Sequence, residues 1–219
     1  MNLKKAAVHC GSLFSLLLLE IAAAFSVPGR YRKGEQPMLH IFEMETTPQR
    51  QSADARALAR RAFAYLFGEA APPVCRSASG KPYFDGSGYG LSITHTGGAA
   101  LCAIADAPVG LDAEALRPVR PRLMERCLAP EELAVCRAAP DPAAVFLRFW
   151  TLKEAYGKYT GRGVIGFPNQ WRFTLDGPAA YLAGSDLWFQ TLTAGALTIS
   201  VCCATPQTPV LHPAFCAEK

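Results

Sequence analysis

Residues 143–159, Ala-Ala-Val-Phe-Leu-Arg-Phe-Trp-Thr-Leu-Lys-Glu-Ala-Tyr-Gly-Lys-Tyr, constrain the fold more than any other stretch. They read as one helix with clear punctuation. Asp141 can accept bonds from free N–H groups, Pro142 suits the first helical position, and Gly161 and Gly163 end the run. At about 100° per residue, Val145, Phe149, Leu152, Tyr156 and Tyr159 fall on one apolar stripe. Glu154 and Lys158, one turn apart, fall nearly opposite it, with Trp150 one turn earlier. Taken alone, that pair reads as an ordinary surface ion pair worth about 0.3–0.5 kcal/mol.

The chain has 219 residues, of which 50% are hydrophobic and 18% charged, so it can bury a core and is not a disordered polymer. A net charge of +4 suits an anionic small molecule or an acidic partner. It is too weak to indicate nucleic acid, and no stretch alternates clustered Lys/Arg with aromatics. The cysteines Cys10, Cys75, Cys102, Cys127, Cys136, Cys202, Cys203 and Cys216 have irregular spacing without zinc-type pairs. Reduced thiols in a cytoplasmic protein are the expectation.

Residues 1–37 bear on that expectation. Lys4 and Lys5 precede Leu13–Leu19, as in a signal peptide, but Glu20 interrupts the apolar run and leaves it too short to span a membrane. Residues 38–44 (Met-Leu-His-Ile-Phe-Glu-Met) read as a first strand, and the preferred reading starts translation at Met38. A helix over Ala53–Phe67 follows, capped by Ser52 and stopped by Gly68. Residues 70–80 read as a connector. Short strands are expected over 81–84, 91–95, 99–105 and 109–114, then two short helices entered at Pro121 and Pro130. Beyond the central helix, strands are expected over 171–175, 187–193 and 196–203. This order implies an α+β fold of two lobes, 38–108 and 109–205, with a tail over 206–219.

Asp112 and Glu114 stand two apart in a strand, so their carboxylates share one side. They read equally well as a solvated edge or as half of a cation site. With Glu154 they supply three oxygen ligands from two elements, a set suited to magnesium holding waters and a substrate phosphate, with Lys158 offering charge to that phosphate. His95 ends a strand before two glycines, where a ligand can approach backbone.

Gly80-Lys81-Pro82, Ile93-Thr94-His95-Thr96, Val109 to Glu114 and Trp150 to Lys158 occur in the order seen in 4′-phosphopantetheinyl transferases. The chain resembles the monomeric, two-lobed type that activates peptide and polyketide synthases, over about residues 38–205. The resemblance implies two similar α/β lobes in pseudo-twofold arrangement. It also implies transfer of phosphopantetheine from coenzyme A to a serine of an apo acyl or peptidyl carrier protein, releasing adenosine 3′,5′-bisphosphate. Carried onto this chain, Asp112, Glu114 and Glu154 hold magnesium, Glu154 takes the serine proton, and Lys158 holds phosphate. Lys81, Thr94 and His95 match coenzyme-contacting positions, His95 at the 3′-phosphate, and Arg56 matches an arginine near the nucleotide. No nucleic acid and no membrane are implied.

Two departures stand out. The family's longer members carry a basic segment where this chain has only Thr46 to Arg50, and a Thr after the helix arginine is Ala57 here. A coenzyme A-binding module without transfer activity is therefore one alternative. A magnesium phosphodiester nuclease is another, though it lacks a basic groove.

Overall fold

In the computed structural model, residues 38–164 and 168–215 are described; the leader and its start-site reading lie outside them, as do Cys10 and Cys216. Strands β1 (Leu39–Glu45), β2 (Val74–Arg76), β3 (Pro82–Phe84), β4 (Gly90–Thr96) and β5 (Ala99–Ala105) accompany helix α1 (Gln51–Phe67). Then come β6 (Val109–Ala115), α2 (Pro121–Cys127), α3 (Pro130–Ala138) and α4 (Pro142–Thr160). The chain closes with β7 (Phe173–Asp176), β8 (Ala179–Leu182), β9 (Trp188–Ala194), β10 (Leu197–Cys203) and β11 (Val210–His212). The fold is α+β.

The strands form a sheet in the order β11-β1-β5-β4, a second in the order β6-β10-β9-β8-β7, and a small β2-β3 ribbon. The chain changes sheets between β5 and β6, at Pro108. Every residue of β5 is buried. Its alternation explains why: Cys102 and Ile104 meet Leu58, Ala62 and Phe63 of α1, whereas Leu101 and Ala103 face a core shared with Leu111, Ala113, Ile199 and Val201 of the second sheet. The opposite side of that second sheet, at Phe189 and Cys202, is covered by Phe146, Phe149, Leu152 and Ala155 of α4. The two sheets therefore share one apolar interior.

Helix α4 starts as its punctuation predicts. Asp141 accepts from the N–H groups of Ala143 and Ala144, and Gly161 ends the helix at a φ of 72°. Its buried side is broader than the expected stripe, however. Val145, Tyr156 and Tyr159 are only half-buried, whereas Leu147, Thr151, Lys153 and Ala155 are fully enclosed. A stripe assumes one buried face, but this helix is packed by the second sheet on one side and by α3 and the segment after residue 168 on another.

Lys153 makes that second contact possible. Its Nζ donates to Glu132 Oε2 at 2.7 Å, to the Pro168 carbonyl at 2.9 Å and to the Trp171 carbonyl. Glu132 in turn accepts from the backbone N–H groups of Ala129 and Phe173, each at 2.8 Å. Both side chains are fully enclosed, and every donor of the ammonium is used. Burial pulls the Lys153 pKa below its ordinary value, while Glu132 acts to raise it.

Three strands were not foreseen. β2 lies in the expected connector, β8 follows the turn at Gly177, and β11 falls in the stretch set apart as a tail. β11 pairs parallel with β1, His40 opposite Val210 and Phe42 opposite His212. His212 stacks on Phe42 with ring centroids 4.2 Å apart, and its Nε2 meets His40 Nδ1 at 2.9 Å, one ring donating and the other accepting. Burial, and secondarily His212, pushes His40 down to about 4. The six cysteines among the described residues are unpaired thiols. No helix among those residues is long and apolar enough to cross a membrane.

The enclosed ion pair yields a stability test. Lys153→Met removes one partner and strands the Glu132 carboxylate, so unfolding free energy should fall by about 3–5 kcal/mol in urea titrations. A loss below about 1 kcal/mol would show that Glu132 finds another cation or a proton at no cost.

Candidate active site

The site forms where α4 crosses β6. In β6 the odd positions Val109, Leu111 and Ala113 enter the core, leaving Gly110, Asp112 and Glu114 on the other side. Gly110 lets the helix approach: a Cβ there would lie 2.0 Å from the Ala155 carbonyl oxygen and 2.8 Å from the Tyr159 nitrogen. The near-contact of helix and strand backbones sets Lys158 Nζ 2.7 Å from Asp112 Oδ1. Lys158 thus pairs with the strand acid and not with Glu154, its neighbour one turn back. This differs from the ordinary surface pair that Glu154 and Lys158 suggest when α4 is taken alone.

Each strand acid also has a hydroxyl partner on β4. Thr94 Oγ1 donates to Asp112 Oδ1 at 2.8 Å, and Thr96 Oγ1 donates to Glu114 Oε2 at 3.1 Å. Arg117 stands 3.6 Å from Glu114 Oε1. Glu154 is half-buried beside this group. Burial, followed by the Asp112 charge, pushes its carboxyl up from an ordinary 4.5 to about 7; Lys158 pulls the other way and Glu114 adds to the rise.

These groups line a cavity of about 510 Å³ at the junction of the two sheets. Asp112, Glu114, Glu154, Lys158 and Trp150 form its second-sheet side, while Thr94, His95, Lys81 and Arg56 line the other. The eight candidate site residues named from the sequence, and Trp150 beside them, therefore border one cavity. Lys81 is partly committed: its Nζ donates to the Tyr159 carbonyl at 2.9 Å and lies 5.5 Å from that residue's ring centroid, tying the loop before β3 to the end of α4. Burial lowers its pKa.

Arg76 and Ser79 also line the cavity and went unremarked in the sequence. Their signal was the turn around Gly80, whose φ is 82° and whose N–H donates to the Ser77 carbonyl; Arg76 Nη1 reaches the Gly80 carbonyl at 3.2 Å. The three carboxylates are neighbours rather than a closed cage. Among the described residues no three acidic, imidazole or thiol side chains form a ready-made metal site.

Comparison with known proteins finds likenesses over part of the chain. Residues 108–201, from the start of β6 into β10, match the model of the 4′-phosphopantetheinyl transferase superfamily. Over 94 residues the chain is 38% identical to the 4′-phosphopantetheinyl transferase HetI of Nostoc sp., covering 39% of this chain and 40% of that protein. Over 78 residues it is 32% identical to the 4′-phosphopantetheinyl transferase psf-1 of Bacillus pumilus, covering 35% and 34%. The matches thus span two fifths or less of those curated relatives. Among solved structures, the holo-[acyl-carrier-protein] synthase of Thermotoga maritima is similar over 43% of this chain and 61% of its own, with 18% identity and a TM-score of 0.38. The Helicobacter pylori holo-[acyl-carrier-protein] synthase, solved in complex with coenzyme A, is similar over 43% and 96%, with 19% identity and a TM-score of 0.36.

Two outcomes are expected from this geometry. Gly110→Ala must push α4 off β6, lowering stability by about 1–3 kcal/mol in denaturant titrations; an unchanged midpoint would mean that the helix does not rest on that position. The second concerns pH. Because folding raises the Glu154 pKa, its protonated form stabilises the fold fully below about pH 4.5, and that stabilisation is lost as pH rises to about 7. Melting temperature without divalent metal should therefore fall across this window, and Glu154→Gln should flatten the fall.

Proposed function

We propose that this chain is a 4′-phosphopantetheinyl transferase that moves the phosphopantetheine arm of coenzyme A to a serine of an apo acyl or peptidyl carrier protein. The observation that carries the reading is the single cavity in which three carboxylates and Lys158 face Arg56, Arg76 and Lys81. An acid cluster opposed by a cationic rim suits a polyphosphate substrate better than a neutral one. The likeness of residues 108–201 to named transferases supports the same reaction.

Magnesium fits the donor set. All the candidate ligands are carboxylate oxygens, and burial, followed by the charge of Asp112, raises the Glu154 pKa. An open arrangement also suits an ion that takes one or two carboxylates and keeps waters and phosphate oxygens as its other ligands. Asp112, Glu114 and Glu154 would hold it. When bound it would neutralise charge on the pyrophosphate.

The chain's own residues supply the rest. Glu154, on the cavity wall, accepts the proton of the carrier serine. The serine oxygen bonds to the phosphorus next to the pantetheine arm, and the bond from that phosphorus to the bridging oxygen breaks. Adenosine 3′,5′-bisphosphate leaves with the bonding pair. Lys158, partly exposed on the cavity wall, transfers its ammonium from Asp112 to phosphate and offsets the departing charge. Thr94 and His95 contact the coenzyme, His95 at its 3′-phosphate, with Arg56 near the nucleotide. A monomeric enzyme in a cytoplasmic setting completes the proposal; the six unpaired cysteines among the described residues are compatible with that setting.

The test is intact-protein mass spectrometry of an apo-carrier protein incubated with this chain, coenzyme A and magnesium. A gain of one phosphopantetheine on the serine is expected. Glu154→Gln should slow it about 10²–10⁴-fold, and Lys158→Ala by a similar factor, with a fall in melting temperature because buried Asp112 loses its ammonium partner. Coenzyme A binding with no mass gain would leave the chain a binding module.

A further inference from the structure

Strands β4 and β6 lie side by side as edges of different sheets, with no backbone ladder between them. Hydroxyls join them instead. Ser92, Thr94 and Thr96 alternate along β4, so they share one face. Ser92 Oγ accepts from the Leu111 N–H at 2.9 Å, Thr94 donates to Asp112 at 2.8 Å, and Thr96 donates to Glu114 at 3.1 Å. Thr96 Oγ1 also accepts from the Ala115 N–H at 3.2 Å. Its single proton is thereby directed at the carboxylate, because the backbone donor occupies a lone pair.

Glu114 is the acid most in need of such a hold. It sits at the open end of β6, half-buried, and Arg117 reaches its other oxygen from the solvent side at 3.6 Å. Asp112, by contrast, is buried and held by both Thr94 and Lys158. We infer that Thr96 is a positioning residue for the proposed reaction: from the first sheet it keeps the Glu114 carboxylate turned into the cavity, so metal affinity depends on the alignment of the two sheets. The inference rests on the proposed metal-dependent transfer and adds a residue to it. Outer hydrogen-bond partners of metal ligands typically contribute about 10–100-fold to affinity.

The experiment measures Mn²⁺ binding by electron paramagnetic resonance, with and without coenzyme A, for the parent, Thr96→Val, Thr96→Ser and Ser92→Ala. Valine keeps the shape of threonine and removes the hydroxyl. Its dissociation constant should rise about tenfold, the low end of that range, while serine should keep parental affinity. In transfer assays, Thr96→Val should need about tenfold more magnesium for half-maximal rate and recover most of the parental kcat at saturation. Ser92→Ala removes a hydroxyl of the same ladder that serves only backbone; it should lower the melting temperature and leave Mn²⁺ affinity unchanged. Parental affinity in Thr96→Val, or an equal loss in Ser92→Ala, overturns the inference while leaving the metal site in place. Failure of the parent to bind Mn²⁺ under either condition overturns the metal reading and this inference with it.

Discussion

The near-contact between α4 and β6 is the constraint on which the site depends. A helix normally stands off a sheet by the thickness of its side chains. At Gly110 there is none on the strand side, and the Ala155 carbonyl occupies the space a Cβ would take. That approach turns residues distant in sequence into neighbours: Lys158 meets Asp112, and Glu154 feels the charges of both strand acids. The same crossing brings like charges into a half-buried space, which the fold tolerates by pairing Asp112 with an ammonium and a hydroxyl. Glu154 carries a raised pKa, first from its burial and then from the Asp112 charge beside it.

The far side of α4 is anchored by a different device. Lys153 follows the helix turn away from the cavity into an enclosed bond with Glu132 and two carbonyls. Adjacent residues of one motif, Lys153 and Glu154, therefore take opposite roles: one secures the helix to α3 and the segment entering β7, the other faces the cavity. Isolated burial of an ammonium would cost several kcal/mol. Complete use of its three donors makes the position tenable and gives the helix a defined rotation about its axis.

What could be read from the chain follows from these distances. Asp112 and Glu114 share a face because strands alternate, and Glu154 precedes Lys158 by one turn because helices do; both periods are local. The strand 99–105 and the two proline-entered helices were legible for the same reason. The role of Lys153 was not, because its partner lies 21 residues away and a helical stripe assigns charges to solvent. Arg76 and Ser79 were hidden in a stretch that looks like connector, and β2 and β11, at three residues each, are too short to show a period. Length and position alone could not reveal that residues 210–212 belong to the first sheet. Pairing partners in a parallel ladder leave no local mark.

That last strand bears on how the chain reaches its fold. β1 is apolar and, without β11, would present its outer backbone edge to any passing strand. Its partner on that side pairs across some 170 residues, as the His40–His212 contact with its separation of 172 records. Closing so long a loop is entropically slow, and local hairpins such as β4–β5 and β9–β10 can form long before it. A nascent chain would thus carry a zipped sheet with one raw side throughout most of its synthesis. The β1–β11 ladder acts as a late clasp, sealing the edge of β1 only once the intervening second sheet has been made.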